Sequence, residues 1–363
     1  MPTATSTLLS AGPLLFAPDD ASTLFVADVA AATVYAFELP SEEPSSGDVH
    51  VDRLGSKLAS LLGVEAEDVV IRGLAVHPVS HAAYLSVARG RGAESAPALV
   101  RAGTDGELTV VDLDGLPSTS FELDDAPAAD DERKDFWLDG TDPSSAPREI
   151  HGVTLNIAQV PAQRSTITDL AWVDGTLFVA GLSNEEFTSR LRKVAYPFDG
   201  TATETSIEIF HVDHGKYETQ SPIRALTTFD GGASVLATYT CTPVVQFTVD
   251  SLRGEGLVRG RTVAELGPMN QPFSIVSYDK DGEEFLLVSN TRHPLLKIPA
   301  ASIAAQDALT EPLSEDNSSR GVPREELDQP GVTWMASSGS DSVVVVQTAG
   351  GDSSLRTLHA SEL

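Results

Sequence analysis

The stretch ITDLAWVDGTLFVAGLSNEEFTSRLRKVAYPF, from Ile167 to Phe198, decides the fold. It contains a short apolar strand, a turn at Asp174-Gly175, a very apolar strand, a polar loop and a third, alternating strand. The Asp-Gly pair supplies the positive φ that a tight hairpin turn needs, and alternation is typical of half-buried antiparallel strands. The stretch therefore predicts an antiparallel sheet built from consecutive hairpins.

This order of elements recurs along the chain, with further tight turns at Asp230-Gly231-Gly232 and Asp281-Gly282. Six copies begin at Gly12, Ile71, Ile167, Ile223, Phe273 and Gly331. A sheet repeated in this way is typical of a β-propeller. We therefore expect an all-β chain that forms a single six-bladed β-propeller.

The predicted propeller occupies residues 1–363 as one domain. Its blades are expected at 12–50, 70–122, 167–213, 223–268, 273–300 and 331–363. The last copy is one strand short, so residues 3–9 are predicted to supply its outer strand and close the ring. Insertions are expected at 52–66, which has helical leucine spacing, at 124–164 and at 301–329, with a short helix near Ile303. Long insertions serve either as functional lids or as solvated loops.

The composition is that of a folded, acidic protein. Hydrophobic residues make up 41% of the chain, and 53 acidic against 24 basic residues give a formal charge of −29. This charge argues against nucleic acid and anionic membrane partners. Cys241 is the single cysteine, so no intramolecular disulfide can form. No apolar run is long enough for a membrane helix, and residues 1–10 do not resemble a signal peptide. We expect a soluble chain, cytoplasmic as the sequence stands, or periplasmic or secreted if a signal peptide was removed.

Three phrases carry a family resemblance: LLFAPD from Leu14, LFVADV…VYAFEL from Leu24, and LAVHP from Leu74. They resemble the six-bladed propellers of the NHL, gluconolactonase-like and strictosidine-synthase-like superfamily. Its members include lactonases, esterases, a Pictet–Spengler synthase, phytases and binding modules. The resemblance therefore implies the fold and leaves the function open. The calcium ligands of the lactonase branch have no clean match in this sequence.

The stretch FHVDHGKYETQSP, from Phe210, contains two histidines three residues apart. On a straight strand His211 and His214 would point to opposite faces, but the Asp-His-Gly that follows Val212 predicts a turn that lets both face one point. Cys241, in TYTCTP, is expected in the neighbouring blade. Two imidazoles and a thiol are a first shell for a transition metal, either Zn, Cu or Fe. The alternative is a polar turn beside a cysteine buried as a small apolar residue.

Further side chains are expected around this centre, in the funnel of the propeller. Glu185 or Glu218 would complete the metal shell or act as general base, and Tyr239 would orient the substrate. Five polar residues are predicted to bind an anionic small molecule, because guanidinium groups hold carboxylates and phosphates in a bidentate manner. They are Arg72, Arg89, Arg224, Asn290 and Arg292. The alternative is that each arginine pairs with a nearby acid.

Three functions remain open at this point. The first is a metal-dependent enzyme, an oxidoreductase or a hydrolase, that acts on a small anionic organic substrate. The second is a non-catalytic propeller that binds a ligand or a partner protein. The third follows from family analogy and is a calcium-dependent lactonase or esterase. Its ligands would be Asp169, Asn184, Glu185 and Asn290.

Overall fold

The computed structural model describes residues 8–10, 12–90, 95–138, 145–150, 153–313 and 319–363. About 51% of the described residues are in β-strands, which confirms the predicted all-β class. The α-helices of the described residues are short: Leu54–Leu62, Val249–Leu252 and Ala300–Ala305. No helix in these ranges is both long and apolar enough to cross a membrane. The chain divides into two compact units, one up to Asp124 together with Pro330–Leu363, the other Asp125–Gln329.

The first unit contains three antiparallel sheets of four strands each. The first sheet has the strand order Leu14–Ala17, Asp20–Asp28, Thr33–Glu38, Ser118–Glu122. The second has the order Val69–Val76, Ala83–Arg89, Ala96–Ala102, Leu108–Val110. The third has the order Val332–Ser337, Ser342–Ala349, Asp352–His359, His50–Val51. Each sheet begins with the three-strand meander that the repeat predicts.

The outer strands of this unit differ from the prediction. The first sheet takes its fourth strand from Ser118–Glu122, which lies beyond the predicted blade 12–50. The strand beside Asp352–His359 is His50–Val51, where residues 3–9 were expected; residues 3–7 lie outside the described residues. The repeat marks the inner three strands, whereas a two-residue outer strand has neither alternation nor a turn signal. Its position depends on tertiary pairing.

The order of the sheets in the first unit also departs from the order of the chain. The inner strand Val69–Val76 lies between Leu14–Ala17 and Val332–Ser337. The Trp334 indole donates a hydrogen bond to the carbonyl of Ile71 at 3.1 Å, which joins two of these strands. The predicted helical insertion is present as Leu54–Leu62, and its buried leucines pack into the core of this unit.

The second unit contains three further meander sheets, extended by short strands. The first has the order Asp169–Val173, Thr176–Leu182, Ser189–Ala195, Ala202–His211, Lys216–Glu218, and Gly256–Arg259 pairs in parallel with Ala202–His211. The second has the order Ala225–Phe229, Ser234–Thr238, Pro243–Thr248, Arg261–Glu265, Arg320–Gly321. The third has the order Pro272–Lys280, Glu283–Asn290, Leu296–Pro299, Glu325–Glu326. The inner strands of the three sheets lie side by side in chain order.

The insertions have structure of their own. Residues 124–164, predicted as a long excursion, form a three-stranded antiparallel sheet with the order Lys134–Trp137, Val153–Pro161, Ala146–Ile150. The insertion 301–329 starts with the predicted helix, Ala300–Ala305, and its later part supplies outer strands.

The tight turns are also as expected: Asp174 and Gly175 both have positive φ, 48° and 73°. Among the described residues, six sheets therefore have the strand order of a propeller blade. Their arrangement in one closed ring remains a prediction.

Candidate metal centre

The two histidines lie where the strand Ala202–His211 ends and turns. His211 is the last residue of the strand and pairs with Lys216 of the short returning strand. Gly215, with φ of 65°, allows this turn, and its amide donates to the carbonyl of His211 at 2.8 Å. The turn folds His214 back onto His211, so that the ring centroids are 3.8 Å apart. This confirms that the turn brings both imidazoles together.

Glu218 holds both rings in one orientation. Its carboxylate oxygens lie 2.8 Å from Nδ1 of His211 and 2.7 Å from Nδ1 of His214. Lys216 is 3.2 Å from the same carboxylate, and the Ser221 hydroxyl donates to it at 3.0 Å. Because an ionised carboxylate can only accept, each Nδ1 is a donor and each Nε2 is left for another partner. Both oxygens of Glu218 are thus occupied, so its role is to orient the imidazoles.

Cys241 approaches from the turn between Ser234–Thr238 and Pro243–Thr248. Cys241 and Thr242 have φ of 70° and 75°, a left-handed conformation that costs a non-glycine residue roughly 1–2 kcal/mol. The turn is held in place because the Cys241 amide donates to the carbonyl of Asn270 at 2.8 Å. Strain of this kind, fixed by surrounding contacts, is common at functional sites.

The three side chains converge. One potential ligand atom from each of His211, His214 and Cys241 lies within 4.8 Å of the other two. His211 is 2% exposed, and its Nε2 has no hydrogen-bond partner among the described residues. The His214 side chain is 41% exposed. The cluster is therefore closed on the side of His211 and open to solvent on the side of His214.

The electrostatics of the cluster favour an ionised thiol. Burial raises the pKa of the Cys241 thiol, but the two imidazoles outweigh this effect and bring the pKa down to about 7. Burial lowers the pKa of His211, but Cys241 and Glu218 overcome it and raise the pKa to about 9. The same two partners raise the pKa of His214 to about 10. The histidines hold the pKa of Glu218 far below its usual range in spite of its burial.

This arrangement fits a transition-metal ion. Two imidazole nitrogens and a thiolate are ligands that zinc, copper and iron accept. Histidine ligands of metals usually donate their other ring nitrogen to a carboxylate, which fixes the tautomer, and Glu218 provides this for both rings. The residues present therefore match both the inner and the outer shell of a metal site.

Two predicted catalytic residues have surroundings that differ from those of the cluster. Glu185 is exposed in the hairpin after Thr176–Leu182, and its backbone carbonyl accepts from Arg133 at 3.0 Å. Tyr239 is fully buried in an apolar cluster, and its hydroxyl has no hydrogen-bond partner in the described part of the chain. The ring of Tyr239 belongs to a buried apolar cluster, and its role in orienting a substrate stays a prediction.

The predicted anion-binding residues are divided between the two units. Arg224 is paired with Asp135 at 2.7 Å and its side chain is 7% exposed. Arg224 therefore follows the alternative in which an arginine pairs with a nearby acid. Arg292 donates to the carbonyl of Pro268 at 2.6 Å, and the side-chain oxygen of Asn290 accepts from the Arg292 amide at 3.1 Å. Arg72 and Arg89 belong to the first unit, and a funnel shared by all five residues stays a prediction.

The calcium alternative also finds little support in the geometry. The Asp169 carboxylate accepts backbone hydrogen bonds from Leu170 and Leu226, at 2.9 and 2.8 Å, and burial raises its pKa to about 7. Asn184 and Glu185 are both exposed. A carboxyl group whose oxygens already serve the backbone is poorly placed to bind calcium, which needs six to eight oxygen ligands.

Sequence reasoning missed one buried acid that interacts with the centre. Glu265 ends the strand Arg261–Glu265 and is completely buried, and His211 and Cys241 both act on it electrostatically. The signal was present: a glutamate interrupts the otherwise apolar run VAEL, and charged residues are almost never fully buried unless they are paired.

Comparisons with known proteins bear on the fold alone. The chain is similar to the PQQ-bound aldose sugar dehydrogenase of Streptomyces coelicolor, with 11% identity, 98% of this chain and 95% of that chain covered, and a TM-score of 0.34. A chain of the mitotic checkpoint complex is similar with 12% identity, 99% of this chain and 92% of that chain covered, and a TM-score of 0.39. The Cps50 (Swd1) β-propeller domain of Myceliophteria thermophila is similar with 11% identity, 96% of this chain and 83% of that chain covered, and a TM-score of 0.37. No protein-family model and no curated protein matches the chain. At this level of similarity, the function has to be argued from the residues of the chain itself.

Proposed function

We propose that the chain is a metal-dependent enzyme whose ion is bound by His211, His214 and Cys241. The observation that carries this proposal is the double use of Glu218, which accepts from Nδ1 of both histidines. Each ring thereby presents its Nδ1 to the carboxylate, and once a ring is deprotonated its Nε2 is available as a ligand. A turn that serves packing alone has no need for this arrangement, whereas a metal site requires it.

Zinc is the ion that the donor set supports best. Catalytic zinc sites use three protein ligands and keep a fourth position for water or substrate. The exposed side chain of His214 supports a fourth position that would be open to solvent. A bound zinc ion would polarise a substrate carbonyl or lower the pKa of a water molecule. Copper or iron at the same residues would instead support redox chemistry.

The proposed substrate is a small ester or lactone that carries a carboxylate. The bound cation would attract such an anion directly, which matters because Arg224 already pairs with Asp135. In a chain of net charge −29 the cation would also be a rare positive centre. The proposed reaction is therefore hydrolysis at the solvent-facing side of the site.

Cobalt substitution tests the proposal without knowledge of the substrate. Co²⁺ bound through Cys241 should give a thiolate-to-metal charge-transfer band that is lost in Cys241→Ser. Chelation should abolish turnover on a panel of esters and lactones, and Zn²⁺ should restore it. A Co²⁺ spectrum without the thiolate band would remove Cys241 from the site.

A second candidate is a metal-independent hydrolase with Cys241 as nucleophile. The lowered pKa of its thiol, beside two imidazoles, is the observation that favours it. In that case turnover should survive exhaustive chelation and be abolished when iodoacetamide alkylates Cys241. Under the metal proposal, Zn²⁺ should instead protect Cys241 from alkylation.

A further inference from the structure

A buried ion pair joins the three-stranded sheet within 124–164, called the insertion sheet below, to a meander sheet of the second unit. Asp135 lies in the strand Lys134–Trp137 of the insertion sheet. Its Oδ1 accepts a hydrogen bond from Nη2 of Arg224 at 2.7 Å, and the same nitrogen donates to the carbonyl of Phe136 at 3.0 Å. The side chains of Arg224 and Asp135 are 7% and 8% exposed. A buried ion pair is tolerated only where further hydrogen bonds satisfy its polar atoms.

Those further hydrogen bonds fix the Asp135 carboxylate. Its Oδ1 also accepts from the Phe136 amide at 2.8 Å. Its Oδ2 accepts from the hydroxyl of Ser165, which is completely buried, and from the Trp137 indole at 3.2 Å. Both oxygens are occupied, so the carboxylate holds the Arg224 guanidinium in one place.

Arg224 passes this restraint on to the turn 239–242, which carries Cys241. Its Nε donates to the Thr240 hydroxyl at 2.8 Å, and Thr240 directly precedes Cys241 in the chain. The Arg224 amide donates to the carbonyl of Thr238 at 2.7 Å, at the end of the strand that leads into the turn. One guanidinium therefore connects the insertion sheet to the residue next to the thiol.

A second connection reaches the same turn from the other side. The amide of Leu138, just beyond the strand Lys134–Trp137, donates to Oε1 of Gln271 at 2.8 Å. Gln271 is 6% exposed and follows Asn270, whose carbonyl accepts from the Cys241 amide at 2.8 Å. The insertion sheet thus contacts the supports of Cys241 at two separate points.

The turn needs support from outside because its backbone is strained. Cys241 and Thr242 both have left-handed φ values, and such a conformation persists only where surrounding contacts impose it. If the turn relaxed, the thiol would move with the backbone. A metal site tolerates little of this, because its ligands have to be held within about 0.5 Å of the binding geometry.

We propose that the insertion sheet is a clamp that holds the turn 239–242 in the conformation in which Cys241 can bind a metal ion. The inference rests on the proposed function for the ligand role of the thiol. Asp135 and Arg224 are positioning residues, which act on Cys241 through Thr240.

The experiment compares wild-type protein with Asp135→Asn in two measurements. In metal-free protein, NMR should show that hydrogen exchange of the Cys241 amide is about tenfold faster in the variant, since the network loses a hydrogen bond between charged groups. Competition with a chromophoric chelator should show a Zn²⁺ affinity about tenfold lower, at the lower end of the usual cost of losing a group that orients a ligand.

Two further variants test the path from the ion pair to the turn. Arg224→Lys keeps the positive charge but lacks the planar fork that reaches Asp135 and Thr240 together, so it should change both measurements as Asp135→Asn does. Thr240→Val leaves the ion pair intact and removes the hydroxyl that receives Nε. It should accelerate exchange of the Cys241 amide in the same direction.

Asp125→Asn is the matched control. Asp125 pairs with Arg192 at 2.7 Å, and the side chains of Asp125 and Arg192 are 8% and 1% exposed. The variant therefore weakens an equally buried ion pair of the same unit. It should lower the free energy of unfolding in urea and leave the Cys241 exchange rate and the Zn²⁺ affinity at wild-type values.

The outcomes separate the clamp from the function on which it rests. Unchanged exchange and Zn²⁺ affinity in Asp135→Asn would overturn the clamp and leave the metal site standing. Equal changes in Asp125→Asn would also overturn the clamp, because they would reflect general destabilisation. Wild-type protein that binds no Zn²⁺ would overturn the metal site, and with it the ligand role of the turn, whatever the exchange rates.

Discussion

Two glutamates of this protein are equally exposed and yet are used in different ways. Glu42, in the first unit, and Glu218, in the second, each have side chains that are 12% exposed. Arg101 grips Glu42 with two nitrogens, at 2.9 and 2.6 Å, and the Tyr84 hydroxyl donates to the same carboxylate. Both oxygens of the Glu42 carboxylate therefore accept hydrogen bonds from within this cluster.

The cluster around Glu218 is complete only on one side. The carboxylate satisfies Nδ1 of His211 and of His214, and one ring nitrogen of each lies within 4.8 Å of the Cys241 thiol. The Nε2 atom of His211 is buried without a partner in the described part of the chain. The comparison teaches that burial and ion pairing by themselves do not mark a functional site. What distinguishes one is a set of oriented donor atoms that the protein leaves unused.

Replacing the thiol should have the largest effect. Cys241→Ser removes a proposed ligand, so Zn²⁺ affinity should fall by more than about 100-fold, beyond the usual cost of losing an outer-shell partner. Titration against a chromophoric chelator measures this, with urea unfolding as the check on the fold. Equal Zn²⁺ affinity in wild type and variant would mean that the cluster around Glu218 is no more a metal site than the cluster around Glu42.

Removing the shared carboxylate should have the next largest effect. Glu218→Gln leaves one Nδ1 without an acceptor, so Zn²⁺ affinity should fall by roughly 10–100-fold. Glu42→Gln is the matched control, since it alters an equally buried glutamate and should leave Zn²⁺ affinity unchanged. A parallel loss in both variants would point to general destabilisation.

Glu42→Gln should instead lower the free energy of unfolding by about 1.5 kcal/mol, the worth of a hydrogen bond to a charged group. Burial raises the pKa of Glu42, but Arg101 and its other partners bring it down to about 2. A lowered pKa stabilises the fold above the unfolded value, near 4.3, and this stabilisation is lost as pH falls toward 2. Urea unfolding should therefore show the two proteins converging below pH 4. A constant difference down to pH 2 would contradict the ion-pair explanation.

Tyr239→Phe should have the smallest effect. Its hydroxyl is buried and has no hydrogen-bond partner among the residues that the structure describes, and leaving such a group unpaired costs about 1–3 kcal/mol. Unfolding stability should stay the same or rise by up to about 1 kcal/mol, with Zn²⁺ affinity unchanged. A marked loss of Zn²⁺ affinity in Tyr239→Phe would show that Tyr239 contributes to the metal site despite its burial.

The parts of the fold that follow from local chemistry were predictable. The Asp-Gly turns and the alternation of stretches such as Ile167–Phe198 specify hairpins, and the structure has them. The outer strands Ser118–Glu122 and His50–Val51 were not predictable, because their places depend on pairing with distant segments. The three-stranded sheet within 124–164 was missed because the composition of this segment, rich in Asp, Pro, Ala and Ser, resembles that of a loop.

The candidate site shows the same division. The turn after Val212 and the meeting of His211, His214 and Cys241 followed from a glycine and from the position of one hairpin. The role of Glu218 did not, since a glutamate three residues beyond a glycine gives no sign of which oxygen meets which imidazole. The catalytic roles of Tyr239 and Glu185 stay predictions, because the direction of a side chain beyond a strand end is set by packing, which the sequence does not show.

Metal analysis of the purified, untagged protein tests the central claim most directly. Mass spectrometry after dialysis should find close to one transition-metal ion per chain in wild type, and almost none in the His211→Ala/His214→Ala double variant. Wild-type protein that contains no metal and takes up none on Zn²⁺ titration would contradict the proposed function.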